Sequence, residues 1–526
     1  MKSPPKHPIH SQITQAHLLE KDQVIETDIL VIGSGAGAST AAHILKDSSF
    51  DVLVCEMGPY RTKQNFDMNE SSAYQNLYQE SGARLTEDGG ISIFQGKVTG
   101  GSTSVNWASS FRTPESTLDV WKKLYGLSSK FSEEIATLYL PNEEKKHSVS
   151  PWHIPPNANN QKLLEGAKRL EYKAEIIPRN VKGCMNLGYC GLGCPIGAKQ
   201  DAAVTKLSPA LKAGVKLVTQ LKVEKLLHGK GRVHGAEARP VDVHGNPLGS
   251  VKITIKAKYI FLAAGAIGSS ALALRSSLED PFEMVGKRTF LHPTVGMAAD
   301  WEEDIHPYYG APQSVYSDHF LSGDPTTSDI GFKLETAPLH PVLASQVVQG
   351  MGHLHAERMQ KLKSTSNLIA LLRDGFHRES QGGEVFLKDD GSEGIHYELT
   401  PYLWDGVKRA YKAMGETLLA AGAKSVLPIH TEATSVKTSS SLTSTLDRLS
   451  YKTLKARIFS AHVMGGMPFG SSEKDSICTH EGRHHFYENL YVADGSIFPT
   501  SVGTNPQMTI YAFAAKLAST FLRDKR

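Results

Sequence analysis

The sequence feature that most constrains the fold is the stretch at 27–56. An apolar run at 29–32 is followed directly by the segment GSGAGA at 33–38, which leads into an alanine-rich, helix-forming segment. Gly33 permits a sharp turn. Gly35 permits the backbone to approach a pyrophosphate, an anion that the free N–H groups of a helix N-terminus favour. This order predicts a strand, a tight turn and a helix that bind a dinucleotide.

A second strand-like run at 51–55 ends at Glu56, roughly 20 residues beyond the glycines, where a carboxylate accepts hydrogen bonds from ribose hydroxyls. Ala38 stands at the third glycine position of the fingerprint, which is a permitted variant. Strand, helix, strand and acid together favour an adenine dinucleotide over an ordinary glycine-rich turn. Glu56 does not distinguish NAD from FAD, because both contain the same ADP half.

The composition excludes several classes of protein. The 526 residues are 40% hydrophobic and 21% charged, which is typical of a globular protein of roughly two to four domains, or of one large fold with an insertion. A net charge of +3 without a strongly basic run predicts no nucleic-acid partner. The longest apolar run, 259–266, is too short for a transmembrane segment, and residues 1–23 lack the apolar core of a signal peptide. We predict a soluble, cytoplasmic protein, with periplasmic export alongside a signal-bearing partner as the alternative.

Two further glycine-rich stretches are typical of close contact between a backbone and a ligand. One is GKVTGGSTSVNW at 96–107, where adjacent glycines lie among hydroxyl residues. The other is AAGAIGSS at 263–270, where a long alternating strand at 251–262 enters a turn of small residues. A plain glycine turn is the alternative for the first stretch.

The C-terminal segment contains the residues best suited to proton transfer. His462 lies beside adjacent glycines in AHVMGG at 461–466, and Asn505 precedes Pro506 at the predicted start of a helix at 507–522. We predict Asn505 as the N-cap of this helix and Pro506 as its first residue. In a functional interpretation, His462 accepts the proton of an alcohol while hydride leaves the carbon, and Asn505 holds the substrate oxygen or the imidazole. A structural histidine and a purely capping asparagine are the alternatives.

Six motifs occur in one order along the chain. They are GSGAGAS at 33–39, CEMG at 55–58, GKVTGGSTSVNW at 96–107, AAGAIGSS at 263–270, SAHVMGG at 460–466 and YVADGSIFPTSVGTNPQ at 491–507. From about Asp28 to the C-terminus the chain resembles the glucose-methanol-choline (GMC) family of flavin oxidoreductases. The resemblance implies FAD rather than NAD, and an α/β fold of mixed α+β character. It also implies a Rossmann-like FAD-binding domain with an inserted substrate domain built on an antiparallel sheet with helices.

The resemblance further implies the residues of the site. His462 matches the catalytic base of the family and Asn505 its partner, while His292 is expected to have a packing role. The implied cofactor contacts are Gly33, Gly35, Ala36, Glu56, Gly101, Ser102, Asn106, Val223, Asp494 and Asn505.

The implied division of the chain is discontinuous. Residues 1–23 form an N-terminal arm, residues 24–112, 183–294 and 456–526 form the FAD-binding domain, and residues 113–182 and 295–455 form the substrate-binding domain. Within the last region the sequence predicts a helix at 404–421 and a Ser/Thr-rich loop at 434–445. No motif in this region identifies a substrate.

Three cysteines form a cluster of the form C-x5-C-x3-C, namely Cys184, Cys190 and Cys194. Three thiolates are one short of an ordinary structural zinc site, but they suffice for a three-iron cluster. This spacing resembles the iron–sulfur subgroup of GMC dehydrogenases, which passes electrons from FAD through a [3Fe-4S] cluster to a cytochrome partner. A competing resemblance, which includes the pair Lys199-Gln200, is to long-chain fatty alcohol oxidases. A cluster, free buried thiols, and zinc or a disulfide all stay open.

The function predicted from these features is FAD-dependent oxidation of an alcohol to an aldehyde or ketone. The resemblance favours a lipophilic primary or secondary alcohol as the small-molecule substrate, with oxygen or an electron-acceptor protein such as a cytochrome as the oxidant. The alternatives are a sugar or polyol dehydrogenase that uses a [3Fe-4S] cluster, a family member repurposed as a lyase or photoenzyme, a non-enzymatic flavin module, and an NAD-dependent dehydrogenase.

Overall fold

The computed structural model describes residues 11–321 and 323–525. The strands, numbered in chain order, are β1 (Ile13–Gln15), β2 (Gln23–Ile32), β3 (Val52–Glu56), β4 (Arg84–Leu85), β5 (Ile91–Ile93), β6 (Val149–Pro151), β7 (Glu175–Ile176), β8 (Pro178–Asn180), β9 (Lys216–Thr219), β10 (Leu221–Gly229), β11 (Arg232–Pro240), β12 (Ile253–Leu262), β13 (Thr289–Leu291), β14 (Thr294–Asp300), β15 (Val315–Tyr316), β16 (Phe332–Glu335), β17 (Thr365–Leu372), β18 (Glu384–Leu387), β19 (Glu393–His396), β20 (Ser425–Pro428), β21 (Ile458–Ser460), β22 (Val463–Gly465) and β23 (Leu490–Val492).

The α-helices are α1 (Ala36–Leu45), α2 (Glu70–Leu77), α3 (Glu115–Tyr125), α4 (Ser129–Glu134), α5 (Leu140–Lys146), α6 (Ala158–Arg169), α7 (Ser208–Lys212), α8 (Gly265–Arg275), α9 (Pro341–Val347), α10 (His353–Gln360), α11 (Pro401–Ala421), α12 (Ser439–Leu446) and α13 (Gln507–Asp524). None of these helices is long and apolar enough to cross a membrane.

The first large sheet has eight strands in the order β1-β9-β3-β2-β12-β11-β10, with β23 paired to the end of β12. The central pairs from β1 to β12 are parallel, whereas β11 and β10 continue the sheet antiparallel. Helices α1 and α13 pack against each other beside this sheet. Every residue of β3 is buried, as expected for a parallel strand covered on both faces. The structure confirms the predicted α/β fold with a Rossmann-like strand, turn and helix.

The N-terminal arm was predicted over residues 1–23. Its first ten residues lie outside the described part of the chain. Within residues 11–23, Ile13–Gln15 form β1, which pairs in parallel with β9 and extends the first sheet by one edge strand. The backbone of this segment is therefore tied to the sheet by ladder hydrogen bonds.

The second large sheet has seven strands in the order β16-β17-β14-β21-β5-β4, with β20 also paired to β14. Its long pairs are antiparallel, and α11 packs on one face. Val295 and Met297 of β14 join the hydrophobic core beneath α11, while the intervening Gly296 and Ala298 line a cavity on the opposite face. This is the antiparallel sheet with helices that the sequence predicted. Three strands of this second sheet, β4, β5 and β21, lie in segments that the sequence analysis assigned to the FAD-binding domain. The domain boundaries stay a prediction.

Two local predictions in the C-terminal half were wrong. Asn505 does not cap α13, which begins at Gln507 with Pro506 in the N-cap position and no side-chain cap. The Asn505 side chain is buried and its Nδ2 instead lies 3.5 Å from Oε2 of Glu335 on β16. The predicted Ser/Thr-rich loop ends in α12, because Thr438 forms a capping box with Ser441 and so satisfies the free N–H groups of a helix start.

The close crossing of α1 and the segment after β23 yields a stability prediction. A Cβ atom at Gly37 would lie 1.7 Å from the carbonyl oxygen of Ala493, so Gly37→Ala must displace backbone. We expect the free energy of unfolding to fall by about 1–3 kcal/mol or more, as measured by denaturant titration. The matched control is Gly35→Ala, where the nearest atom to the new Cβ is 3.9 Å away. Equal stability of the two variants would contradict this account.

Candidate functional site

A cavity of about 980 Å³ lies between the two large sheets. Its wall contains all of the predicted cofactor contacts and both predicted catalytic residues, although they come from both ends of the chain. These residues are Gly33, Gly35, Ala36, Glu56, Gly101, Ser102, Asn106, Val223, His462, Asp494 and Asn505. The fold therefore brings the predicted site residues to one place, with the exception of the three cysteines.

The strand, turn and helix at the start of the chain form one end of the cavity. Gly33 has φ +103°, and a Cβ there would lie 2.2 Å from the carbonyl oxygen of Ala263, so only glycine fits this turn. No side chain caps α1, so its first N–H groups are available to an anion. Glu56 is the last residue of β3, where its Oε2 accepts a hydrogen bond from Oγ of Ser34 at 2.6 Å and its Oε1 accepts one from the amide of Gly58 at 2.7 Å. Burial raises the pKa of Glu56, and these hydrogen bonds oppose that shift.

The stretch at 96–107 covers this turn. A Cβ at Gly101 would lie 2.8 Å from Cα of Gly35, and the Gly100 amide donates 3.1 Å to Oγ of Ser34. Nδ2 of Asn106 donates 2.9 Å to Oε1 of Gln507, which connects this stretch to the first residue of α13. The two glycine loops and the C-terminal helix thus meet around the cavity.

Asp494 lies at the turn after β23, where its carboxylate organises a second loop junction. One oxygen accepts from the Gly265 amide at 2.8 Å and from Oγ of Ser269 at 2.6 Å, and the other accepts from the amide and hydroxyl of Ser496. Burial raises the pKa of Asp494, while these donors favour its ionised form. The predicted contact therefore also fixes the position of the α8 N-terminus.

These features fit FAD. The glycine turns let backbone segments pack closely at the end of the cavity, the uncapped α1 offers N–H donors to a pyrophosphate, and Glu56 offers a carboxylate to a ribose. Val223 of β10 lines the same end, where the resemblance implies contact with adenine. The cavity then continues toward the second sheet, where His462 and Asn505 lie.

His462 follows β21 and is partly accessible from the cavity. Its Nδ1 lies 3.0 Å from Nδ1 of His292, and the two rings are nearly perpendicular at 87°. Burial and the positive charge of Lys333 lower the pKa of His462 to about 4. The imidazole is therefore neutral at physiological pH, and Nε2 is the ring nitrogen that His292 does not engage.

Three residues beside this pair have no catalytic role predicted from the sequence. His292, expected only to pack, contacts the imidazole of His462 directly. Lys333 and Glu335 are on β16, where their alternation in GFKLE places both side chains on the same face of the strand. Two opposite charges spaced two residues apart in an otherwise apolar strand are a signal that sequence reasoning could have used.

Lys333 and Glu335 are both buried behind Asn505. Oε2 of Glu335 accepts 2.6 Å from Nε2 of Gln313, while its Oε1 has no partner among the described residues. Nζ of Lys333 donates 2.8 Å to Oγ1 of Thr504 and lies 3.5 Å from the centre of the Phe111 ring. Burial raises the pKa of Glu335 to about 7 and lowers the pKa of Lys333 to about 8, and their mutual attraction opposes both shifts.

The cysteine segment lies outside the cavity wall apart from Gly191 and Leu192. All five cysteines of the chain are free thiols, and the sulfurs of Cys184, Cys190 and Cys194 accept separate hydrogen bonds from the Asn186 amide, the Arg179 guanidinium and the Ala198 amide. Within residues 11–321 and 323–525, no group of three or more His, Cys, Asp or Glu side chains could hold a metal ion. The predicted metal ligands therefore find no support in the structure.

The buried ammonium of Lys199 explains instead how this segment is held. Its Nζ donates to the carbonyl oxygens of Ser104, Asn106 and Cys190 at 2.7, 3.0 and 2.8 Å. All three ammonium hydrogens thus have acceptors, which a buried cation requires. Lys199 fastens the cysteine segment to the glycine-rich stretch at 96–107 that lines the cavity.

Comparisons with known proteins agree with this architecture. A long-chain-alcohol oxidase of Arabidopsis thaliana is 28% identical over 510 residues, which cover 93% of this chain and 68% of that protein. Among solved structures, pyridoxine 4-oxidase from Mesorbium loti superposes with a TM-score of 0.69 at 15% identity, over 94% of this chain and 99% of that one. A formate oxidase variant from Aspergillus oryzae gives a TM-score of 0.69 at 14% identity, over 95% and 98% of the two chains.

The family assignment follows from two family models. The N-terminal GMC oxidoreductase model matches residues 74–294, and the C-terminal GMC oxidoreductase model matches residues 381–514. Together they cover more than half of the chain, including parts of both sheets and the segment that contains His462 and Asn505. The chain is an oxidoreductase that belongs to the GMC oxidoreductase family.

Proposed function

We propose that this protein binds FAD and oxidises an alcohol to an aldehyde or ketone, with His462 as the base and Asn505 as its partner. The observation that carries the proposal is the position of His462. Its imidazole is neutral, its Nδ1 is engaged by His292, which leaves Nε2 unengaged, and the residue lines a cavity that extends from the dinucleotide-binding turn. The family assignment and the alcohol-oxidising relatives support the same activity.

Each residue has a defined task in this proposal. Bound FAD supplies the acceptor for the hydride that leaves the alcohol carbon. Nε2 of His462 accepts the hydroxyl proton, so that the oxygen keeps the electron pair that forms the carbonyl. Nδ2 of Asn505 donates a hydrogen bond to that oxygen while negative charge develops on it. The ammonium of Lys333, on the far side of Thr504, favours the same negative charge and keeps His462 unprotonated.

The cavity wall supports a lipophilic primary or secondary alcohol. Aliphatic side chains on β17, on β20 and around α9 form much of the wall on the side of the second sheet, namely Leu339, Leu343, Val347, Ile369, Leu371 and Leu427. Such a wall favours burial of hydrocarbon, at about 0.8 kcal/mol per CH₂ group. The relatives named as oxidases support oxygen as the acceptor. The cytochrome-linked alternative depends on a cluster for which the cysteines give no support.

The proposed cofactor can be tested by absorption spectroscopy of the purified protein. We expect flavin bands and no iron, because the three clustered cysteines are separately hydrogen-bonded thiols. Gly35→Ala should retain the fold yet lose most of the flavin, since its methyl group enters the space for the pyrophosphate. Cys190→Ser should keep both the spectrum and turnover. A brown protein with stoichiometric iron, bleached in Cys190→Ser, would restore the cluster hypothesis.

The proposed base can be tested by stopped-flow reduction of the flavin by an alcohol without oxygen. We expect His462→Ala to lower the limiting rate about 10²–10⁴-fold, because general-base catalysis is lost. Asn505→Ala should lower it about 10²-fold, since one donor to the developing charge is removed. Lys474→Ala is the control, because this residue does not line the cavity. Reduction of His462→Ala at the wild-type rate would rule out the assigned base.

The same reaction has an expected pH dependence. Only neutral His462 can accept a proton, and its pKa is lowered to about 4. The limiting rate attributable to His462 should therefore stay constant from neutral pH down to about pH 5 and fall as the pH approaches 4. A loss centred near 6.5, the pKa of a solvated histidine, would contradict a desolvated base.

The proposed substrate class can be tested with an alcohol panel of increasing chain length. We expect kcat/KM to rise with each added methylene group until the apolar wall is filled, because each group removes more hydrocarbon from water. Ile369→Asp, which puts a charge on that wall, should weaken long-chain alcohols more than short ones. A preference for sugars or polyols, with no dependence on chain length, would favour the dehydrogenase alternative.

A further inference from the structure

Two buried polar atoms near the proposed base have no hydrogen-bond partner in the described residues. They are Nε2 of His292 and Oδ1 of Asn505. Both residues line one narrow crevice, together with Lys333 and Thr504, that is too small to admit a water molecule. An imidazole N–H is a donor and an amide oxygen is an acceptor, so the two atoms are complementary. The two atoms do not hydrogen-bond each other, so the contact that holds His292 beside the pair is the one between its Nδ1 and Nδ1 of His462.

We propose that His292 is a positioning residue that sets the tautomer of the proposed base, His462. Its Nδ1 accepts the Nδ1–H of His462. The inference rests on the proposed function, because it assigns a role to His292 relative to His462 as base. It concerns how the pair is held, and His292 itself does not touch the substrate.

The contact between the two imidazoles distinguishes two arrangements of hydrogens. The Nδ1 atoms are 3.0 Å apart, so one hydrogen lies between them. If His292 donates, neutral His462 carries its hydrogen on Nε2 and cannot accept a proton there. If His462 donates, its Nε2 has a free lone pair toward the cavity. The second arrangement is the one that permits His462 to act as base.

The second arrangement also determines the tautomer of His292. It puts the hydrogen of neutral His292 on Nε2, an atom that has no acceptor among the described residues. Nδ2 of Asn505 lies 3.5 Å from Oε2 of Glu335 and keeps a second hydrogen for a substrate oxygen. His292 therefore determines the tautomer of the base.

The surroundings of His292 keep it in the neutral form that this role requires. Its side chain is buried, and the charged or titratable groups that act on it are His462, Lys333 and Arg373. Burial and these three groups hold its pKa well below the usual value. A doubly protonated His292 would donate at Nδ1 and deprive His462 of its acceptor.

The test compares His292→Leu with His292→Asn in the flavin-loaded enzyme, reduced by an alcohol without oxygen. Leucine has a similar volume and no polar atom, whereas asparagine keeps an oxygen near the position of Nδ1. We expect His292→Leu to lower the limiting rate of reduction about 10–100-fold, with a less than about threefold change in the apparent dissociation constant of the alcohol. His292→Asn should stay within about fivefold of wild type, because His462 retains an acceptor.

A second measurement reads the tautomer without turnover. In ¹⁵N NMR of histidine-labelled protein, His462, identified by the signals lost in His462→Gln, should carry its hydrogen on Nδ1.

His484→Leu is the matched control for the kinetic test, since His484 is equally buried, also has an unpartnered Nε2 and does not line the cavity. We expect that variant to keep its flavin content and reduction rate.

Three outcomes would overturn the role of His292. They are an unchanged rate in His292→Leu, an equal loss in both His292 variants, and a hydrogen on Nε2 of His462. Wild-type reduction by His462→Gln would instead refute the proposed base itself. The two proposals therefore fail through different variants.

Discussion

The structure depends on a steric constraint, the direct contact of backbone with backbone at the turn between β2 and α1. Gly33 lies against Ala263, Gly37 against Ala493, and both positions would place a Cβ within about 2 Å of a carbonyl oxygen. These contacts bring β2, β12 and β23 together at the carboxyl ends of their strands, where open α/β sheets bind ligands. The cavity that contains the predicted cofactor contacts begins at this junction, since Gly33, Gly37 and Ala263 all line it.

A buried polar cluster provides the second organising element. His292, Lys333, Glu335 and Asn505 come from the loop before β14, from β16 and from the start of α13, and they meet beside His462. Burying charged groups is costly unless they are paired, and here the opposite charges of Lys333 and Glu335 moderate each other. Such a cluster is expected at a site where proton transfer must occur in a dry environment. Its location at the end of the cavity agrees with the chemistry proposed for His462.

Local patterns predicted individual elements well where one physical effect dominates. The glycine-rich turn follows from a steric requirement, β3 from a run of buried residues, and the long α11 from amphipathic periodicity. Each element was found where the sequence predicted it. Prediction failed where two effects compete. Asn505 has the propensity of an N-cap, but its side chain turns to Glu335 because burial removes the solvent that would otherwise satisfy both groups. For the three clustered cysteines the sequence left an iron–sulfur cluster, free thiols, and zinc or a disulfide open, and in the structure a neighbouring donor contacts each sulfur separately.

The sequence by itself determined the dinucleotide-binding unit, the order of the six motifs and hence the family, because each motif is a short segment whose spacing alone specifies its geometry. It also identified His462 and Asn505 as the residues to examine. Only the tertiary structure decided what surrounds them. His292 and Glu335 are 170 residues from the residues they contact, and no local pattern encodes a contact at that separation. The protonation state of His462 was likewise decided by folding, since burial and the field of Lys333 exist only once the two sheets have closed around the cavity.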